Sequence, residues 1–427
     1  MSRMTNNMSE ELFKVDGKTS VGETLPLALQ HVVAMIVGCV TPAIIVAGVA
    51  GLSEQDSVIL IQAALTMSAI TTLIQVVPLL RTGKVSIGSG LPVIMGISFA
   101  YVPTMQAIAG TFDIATILGA QIVGGIVAVI VGIFIKQIRK SLYPTAINYM
   151  AGGASNESYG SWQNWLVAII TLCIVTVLNH YGKGIWKLAS ILIGIIAGYI
   201  ISLFFGMVDF SAVVNASWFA LPKPMHFGIT FEPSSCVAIG VLFAINSIQA
   251  IGDFSATTTG GLDRMPTDEE LSGGIVGYGL SNIFCAVFGG LPTATYSQNV
   301  GIVGSTKVVA KRVFETSAII ILIAGLIPKF SSVLTTIPYC VLGGATVSVF
   351  ASIAMTGIKL ITTAPMDFRN TTVVGLSIAL GMGVTQANAA LATFPEWVTT
   401  IFGKSPVVLA TITAVFLNLV LPKSEQS

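Results

Sequence analysis

Charged residues are scarce in this chain. Asp, Glu, Lys and Arg make up 9% of the 427 residues, whereas about 25% is typical of a soluble domain. Hydrophobic residues reach 54%, and apolar runs of about 20 residues, the length that crosses a bilayer, recur from Leu25 to Leu421. The sequence therefore predicts a multi-pass integral membrane protein whose membrane part carries the function.

Features of several other protein classes are missing. The formal net charge is +1 and no concentrated basic stripe is present, so a nucleic-acid partner is not expected. The five cysteines stand singly in apolar segments, without metal-site or disulfide spacing, and we expect all five to be buried, reduced thiols. No H-E-x-x-H, G-x-S-x-G or Cys/His pairing is present. These absences argue against an intramembrane enzyme, and no cofactor or metal is expected.

Hydropathy predicts about fourteen spans. Most are clear, and three shorter, interrupted ones lie near 88–107, 141–152 and 292–306. If both termini are cytoplasmic, 17 of the 20 Lys and Arg residues fall on the inner side, as the positive-inside rule requires. We therefore expect a protein of the cell membrane with both termini in the cytoplasm.

Two of the interrupted segments begin with the same tripeptide, Gly90-Leu91-Pro92 and Gly290-Leu291-Pro292. Paired broken segments in corresponding halves indicate a transporter built from two repeats, with its site at the midplane. The alternative is a chance match in a chain with 43 glycines. The predicted parts are a cytoplasmic N-terminal tail (1–23), a first seven-span repeat (24–206), an extracytoplasmic connection (207–231), a second seven-span repeat (232–421) and a cytoplasmic C-terminal tail (422–427).

Polar side chains interrupt another apolar span. Asn246, Gln249 and Asp253 occupy positions i, i+3 and i+7 and so share one helical face. An ionisable group inside a span is costly and usually faces a cavity or pathway, which makes Asp253 a candidate functional residue. The alternative is that Asp253 caps the end of the span near water.

His31 lies well inside the first span, next to Gln30. A single His on an apolar face is often a packed, hydrogen-bonded residue with a structural role. Its place beside Gln30 favours a role in the site, in which the ring holds the broken segments in position.

The second interrupted segment carries a signature. Gln298-Asn299-Val300-Gly301, followed by Thr306-Lys307, fits the pattern Q/E-N-x-G-x-x-x-x-T-K/R/G of the nucleobase–ascorbate transporter family, also called nucleobase:cation symporter family 2. The segments QH at 30–31, GISFA at 96–100 and QAIGD at 249–253 also resemble this family. The resemblance covers nearly the whole chain.

The resemblance implies an all-α polytopic membrane fold of fourteen spans in two inverted seven-span repeats, arranged as a core domain and a gate domain. The third and tenth spans would each contain a short extended strand, and the substrate would lie between the two strands. Members of the family often form dimers, so a homodimer is one expected assembly.

The resemblance also assigns roles to residues. Gln298 is expected to form hydrogen bonds along one edge of the base. Gln at this position favours an oxidised purine, xanthine or uric acid, as the substrate. The expected substrate contacts are Phe99, Ala100, Gln249, Tyr296, Ser297 and Gln298. The residues expected to organise the site or couple it to an ion are His31, Asn246, Asp253, Asn299, Gly301 and Thr306. Gly301 is expected to allow close approach of the backbone.

One position departs from the family pattern. Members usually have Glu where this chain has Gln249, and an amide can bind a base but does not titrate. Asp253 is then the main titratable candidate in that span. The implied function is secondary active uptake of a purine nucleobase by symport, with a proton as the expected coupling ion and sodium as the other candidate, through alternating access.

Two other transport functions are left open by the sequence. One is a carrier for uracil or another nucleobase. The other is an anion transporter of the sulfate-permease type, which shares the fold; the cationic site expected of it is missing, because no Lys or Arg lies within the polar midplane segments.

Overall fold

The computed structural model describes residues 9–82, 85–134, 161–182, 186, 189–345, 347, 358, 361, 365–387, 391, 393–395, 398 and 406–422. Its helices are α1 (Val21–Val49), α2 (Glu54–Val76), α3 (Val102–Ala109), α4 (Ile114–Phe134), α5 (Trp162–Tyr181), α6 (Ser190–Phe204), α7 (Ser211–Asn215), α8 (Pro233–Leu262), α9 (Asp268–Val287), α10 (Ser297–Thr306), α11 (Lys311–Gly325), α12 (Pro328–Thr335), α13 (Phe368–Gln386) and α14 (Pro406–Val420). Its strands are β1 (Leu80–Thr82), β2 (Val85–Ile87), β3 (Met95–Ile97) and β4 (Thr293–Thr295).

Many of these helices are apolar and long. Within the described ranges, α1, α2, α4, α5 and α8 are each long and apolar enough to cross a membrane. The consecutive helices α11 and α12 meet at a bend of 81° and together meet the same criterion. The protein is therefore a mostly helical membrane protein. The interrupted span predicted near 141–152 lies outside the described residues.

Side-chain caps fix the starts of several helices. Thr267 and Glu270 form a capping box at the start of α9, in which each side chain bonds the other residue's main-chain N–H. Arg264 adds an ion pair to Glu270, with 2.6 Å between guanidinium nitrogen and carboxylate oxygen. Ser20 and Glu23 form a second capping box at the start of α1. Because both boxes satisfy N–H groups that a helix start leaves without partners, the chain can enter each helix at a fixed residue.

The two segments that begin Gly-Leu-Pro each contain a short strand. β3 and β4 pair antiparallel, with Met95 opposite Thr295 and Ile97 opposite Thr293. A short helix follows each strand: α3 after β3, through a 3-10 turn at Phe99–Tyr101, and α10 after β4. Two segments far apart in the sequence thus meet in one small sheet surrounded by helices.

The helices around this sheet pack in a reciprocal arrangement. Apart from strands β1 and β2, which follow α2, the order helix, helix, strand with short helix, helix occurs twice. It occurs as α1, α2, β3–α3, α4 and as α8, α9, β4–α10, α11. α4 packs against α8 and α9, whereas α11 packs against α1 and α2. Each set therefore closes around the first two helices of the other.

The described part of the predicted N-terminal tail packs onto this core. Leu12 is fully buried, and its carbonyl accepts a hydrogen bond from the Val309 N–H at 3.0 Å. Lys311 donates its main-chain N–H to Val15 at 2.9 Å and its ammonium to Asp16 at 2.9 Å. Residues 9–19 thus brace the turn between α10 and α11.

The prediction of five buried thiols is wrong for two of them. All five cysteines are free, and Cys39, Cys285 and Cys340 are buried. Cys173 is exposed on α5, and Cys236 is partly exposed near the start of α8. Hydropathy identifies a span but does not tell which face of it meets lipid, and thiols are compatible with either surface.

Candidate functional site

The polar face predicted on α8 lies next to the ends of β3 and β4. α8 contacts β4, α10 and the 3-10 turn that follows β3. Irregular backbone at membrane depth requires partners from protein, water or a ligand. The strand ends and the facing side of α8 are therefore the candidate functional site.

Asp253 is the acidic group of this site. Its carboxylate accepts hydrogen bonds from the Thr295 and Ser297 hydroxyls, the latter at 2.9 Å. The side chain is 7% exposed and takes part in none of the ion pairs found among the described residues. Asp253 lies well inside α8, so the alternative that it caps the end of the span is wrong. A buried carboxylate held by hydroxyl donors, without a paired cation, is suited to binding a proton or a small cation.

Asn246 and Gln249 lie on the same side of α8 in different surroundings. Asn246 is buried; its amide donates to the Leu242 carbonyl at 3.0 Å and its oxygen lies 3.5 Å from the Ser98 hydroxyl, a weak hydrogen bond. Gln249 has an exposed side chain close to the Asp253 carboxylate. The helical face predicted from spacing is therefore present: Asn246 contacts the end of β3, Gln249 presents an accessible amide, and Asp253 supplies the carboxylate.

Asn299 and His31 form a buried pair between α10 and α1. The Asn299 amide nitrogen donates to the main-chain carbonyl of His31 at 3.2 Å and lies 3.0 Å from His31 Nδ1. An amide nitrogen only donates, so Nδ1 is the acceptor in this contact. His31 also packs on Phe314 of α11, with ring centroids 4.5 Å apart. His31 thus holds the signature helix, and the hydrogen bonds found among the described residues include none between His31 and Asp253.

Tyr296 is buried against β3 and α1. Its side chain is 5% exposed, and its hydroxyl donates to the Ile97 carbonyl of β3 at 2.8 Å. A Cβ added at Gly38 or Gly96 would lie about 2.5 Å or 2.4 Å from the Tyr296 ring, so both glycines are needed for the ring to fit. Tyr296, predicted as a substrate contact, locks β4 and α10 to β3 and α1.

The other predicted substrate contacts lie at the starts of two short helices. Ser297 is exposed and Gln298 half-buried in the first turn of α10, where helix geometry leaves N–H groups without intrahelical acceptors. Phe99 and Ala100 are buried in the 3-10 turn after β3. The Ala100 N–H, predicted to bond the base, donates to the Ser98 hydroxyl at 3.2 Å.

Contacts within the protein explain the residue type at Thr306 but not at Gly301. The Thr306 hydroxyl donates to the Ile302 carbonyl at 2.8 Å and accepts from the Val308 N–H at 3.3 Å, which closes the end of α10. A Cβ added at Gly301 would meet no atom within 4 Å. Packing against the described protein atoms therefore does not explain the glycine, and its close approach to a substrate stays a prediction.

A matched pair of glycine substitutions tests this packing. We expect Gly96→Ala to destabilise the fold by about 1–3 kcal/mol, because the new methyl group overlaps the Tyr296 ring in a filled core. Gly301→Ala is expected to change stability much less. Thermal unfolding of the purified variants in detergent measures both, and equal unfolding temperatures would contradict the packing described for Tyr296.

Sequence reasoning did not single out two residues of the site. Thr295 donates to Asp253, and Ser98 links the end of β3 to Asn246 and to the Ala100 N–H. Ser98 lies within GISFA, and Thr295 lies just before the signature. Their hydroxyl groups were the available signal, but only the pairing of the strands brings them to α8.

Two curated proteins similar to this chain share almost its full length. One is Xanthine permease XanQ of Escherichia coli (strain K12), 30% identical over 99% of this chain and 96% of that protein. Another is the Xanthine permease of Bacillus subtilis (strain 168), 31% identical over 94% of each chain.

A solved structure shows a similar fold at low sequence identity. It is the transmembrane domain of the cyanobacterial bicarbonate transporter BicA, with a TM-score of 0.52 and 16% identity, and the similarity covers 94% of this chain and all of that one. At this identity the likeness concerns the fold alone.

A family model assigns the chain as a whole. The Xan_ur_permease model, described as Permease family, matches residues 22–390, which include all the site residues named above. This match confirms the resemblance drawn from the signature and excludes the reading as an intramembrane enzyme, because the family consists of permeases. The chain belongs to the Permease family.

Proposed function

We propose that this protein is a secondary active transporter that takes up a purine nucleobase, xanthine or uric acid, by proton symport through alternating access. The observation that carries the proposal is the meeting of Asp253, Gln249 and the first turn of α10 at the ends of two strands inside the membrane region. A planar polar base suits such a site, since it can bond main-chain groups and side-chain amides together. The relatives named as xanthine permeases support this substrate class.

The reciprocal packing supports two inverted seven-span repeats. α1, α2, β3–α3 and α4 correspond in order to α8, α9, β4–α10 and α11, and each set packs into the other. These elements would form the core domain, and α5, α6, α12, α13 and α14 would belong to the gate domain. Motion of core against gate around a fixed midplane site gives alternating access. Fourteen spans, cytoplasmic termini, a place in the cell membrane and a homodimer are parts of the same proposal.

Asp253 is the proposed coupling residue. Gln249 stands where the family usually has a Glu and cannot take up a proton, whereas the Asp253 carboxylate contacts Thr295 and Ser297 on the elements that would hold the base. Protonation would change the bonds that these hydroxyls make, so ion binding and base binding would be linked. Sodium is the alternative coupling ion.

Two alternative substrates are less well supported. A carrier for uracil or another nucleobase would use the same site with different edge contacts. An anion carrier is favoured by the fold shared with the bicarbonate transporter, but a buried carboxylate at the site opposes anion binding. Among the described residues of the site there is no Lys or Arg.

Gln298 is expected to set the preference for purines. An amide both donates and accepts along one edge of the base, and a site built for such a pattern rejects partners that leave its groups unpaired. We expect Gln298→Ala to weaken xanthine uptake by at least about tenfold and Gln298→Glu to change the order of competitors. The assay is uptake of radiolabelled xanthine by cells without purine permeases of their own, with urate, uracil, adenine and sulfate as competitors.

The same assay tests the proposed function. Competition by urate and not by sulfate supports a purine carrier. Absence of xanthine uptake, together with uptake of labelled sulfate, would support the anion carrier. If both Gln298 variants keep wild-type affinity and the wild-type order of competitors, Gln298 is not a substrate ligand and the purine assignment loses its main support.

A further inference from the structure

The β3–β4 sheet has two outer edges that must find hydrogen-bond partners inside the protein. The main-chain N–H of Tyr296 donates to the Ile94 carbonyl, and the main-chain N–H of Ser98 donates to the Pro292 carbonyl, each at 3.0 Å. In an antiparallel pair the residues between such bonded positions direct their N–H and C=O groups outwards. Met95 and Thr293 are in these positions, and at membrane depth their outward groups cannot rely on bulk water.

Thr72 of α2 satisfies the outward main-chain groups of Met95, at the start of β3. Its hydroxyl oxygen accepts the Met95 N–H at 2.9 Å. The hydroxyl proton is directed between the Met95 carbonyl at 3.2 Å and the Ser68 carbonyl of its own helix at 2.8 Å. Thr72 is 1% exposed, so the arrangement is closed to solvent.

Asn282 of α9 satisfies the outward main-chain groups of Thr293, at the start of β4. Its side-chain oxygen accepts the Thr293 N–H at 2.8 Å, and its amide nitrogen donates to the Thr293 carbonyl at 3.2 Å and to the Tyr278 carbonyl at 2.9 Å. Gln121 of α4 donates to the main-chain carbonyl of Asn282 at 3.0 Å. Asn282 is fully buried.

The two contacts match each other. Thr72 lies in the helix that precedes β3 and holds the first residue of that strand, and Asn282 lies in the helix that precedes β4 and holds the first residue of that one. We propose that Thr72 and Asn282 are positioning residues, which fix the two strands so that Ser98, Thr295 and Ser297 face α8 in the geometry that binds substrate. The part of this inference that concerns affinity rests on the proposed function.

Hydrogen–deuterium exchange and xanthine binding by the purified protein test the proposal together. Thr72→Val keeps the side-chain shape and removes the hydroxyl, and Asn282→Ala removes the amide. We expect exchange in the strand held by the altered residue to rise by about tenfold or more and the Kd for xanthine to rise by about tenfold, because a buried N–H loses its partner. Thr72→Ser keeps the hydroxyl, so its strand exchange and its Kd for xanthine should stay close to the wild-type values.

The neighbouring Thr71 provides the control. It is fully buried, and its hydroxyl bonds the Ser68 carbonyl within α2 at 3.1 Å, so Thr71→Val should leave the exchange of both strands and the Kd as in wild type. If Asn282→Ala does not fold, Thr72→Val alone tests the positioning role. Wild-type exchange and affinity in Thr72→Val would overturn the proposal, as would equal effects of Thr71→Val. If wild-type protein does not bind xanthine, the proposed function fails, while the exchange data still decide the positioning role.

Discussion

Asp253→Asn is expected to abolish concentrative uptake while leaving substrate exchange intact. The amide can still occupy the place beside Thr295 and Ser297, so the site should keep its shape and bind the base. It cannot take up and release a proton, so an imposed proton gradient should no longer drive xanthine above equilibrium. Uptake and counterflow in proteoliposomes separate these two activities.

Asp263→Asn is the matched control for this prediction. Asp263 follows α8 directly, is exposed, and pairs with Lys307 at 2.7 Å. Exposed pairs contribute about 0–1 kcal/mol, and Asn tolerates the left-handed backbone of this position, so concentrative uptake should persist. If Asp253→Asn accumulates xanthine as wild type does, the coupling role of Asp253 is wrong.

Asn299→Ala is expected to lower transport by at least about tenfold while the protein is still produced and folded. The substitution removes the donor to the His31 carbonyl and to Nδ1, which is the polar link between the signature helix and α1. α10 would then lose its fixed position, and with it the placement of Ser297 and Gln298. Initial rates of xanthine uptake, normalised to protein in the membrane, provide the measurement.

Val303→Ala controls for the loss of a buried side chain. Val303 lies on the same helix and is fully buried, but its side chain makes no polar bond, so its truncation should reduce transport much less than Asn299→Ala. Misfolding of Asn299→Ala, seen as loss of the protein from the membrane, would contradict a role confined to positioning, as would equal transport by the two variants.

Local sequence signals predicted several elements of the candidate site, because each signal depended on nearby residues. The Gly-Leu-Pro tripeptides marked the segments that contain β3 and β4. The spacing of Asn246 and Asp253 placed both on the side of α8 that faces the strands. Such features follow from the helical period and from backbone chemistry and need no tertiary information.

Other features depend on contacts between distant segments and left no signal in the sequence. Thr72 resembles any threonine in an apolar helix until β3 lies beside it. The requirement for glycine at Gly96 arises only because the Tyr296 ring crosses from another segment. Leu12 stands in a polar stretch that reads as a tail, yet it is buried against the turn after α10. Hydropathy and motif spacing carry no information about these partners.

The most direct test of the proposed function is xanthine accumulation by purified wild-type protein in proteoliposomes under an imposed gradient. With the outside acidic, we expect radiolabelled xanthine to rise inside above the external concentration and to fall back when the proton gradient is collapsed. Uptake driven by a sodium gradient alone would contradict proton symport. Absence of any xanthine or urate uptake, together with uptake of bicarbonate or sulfate, would contradict the assignment as a nucleobase transporter.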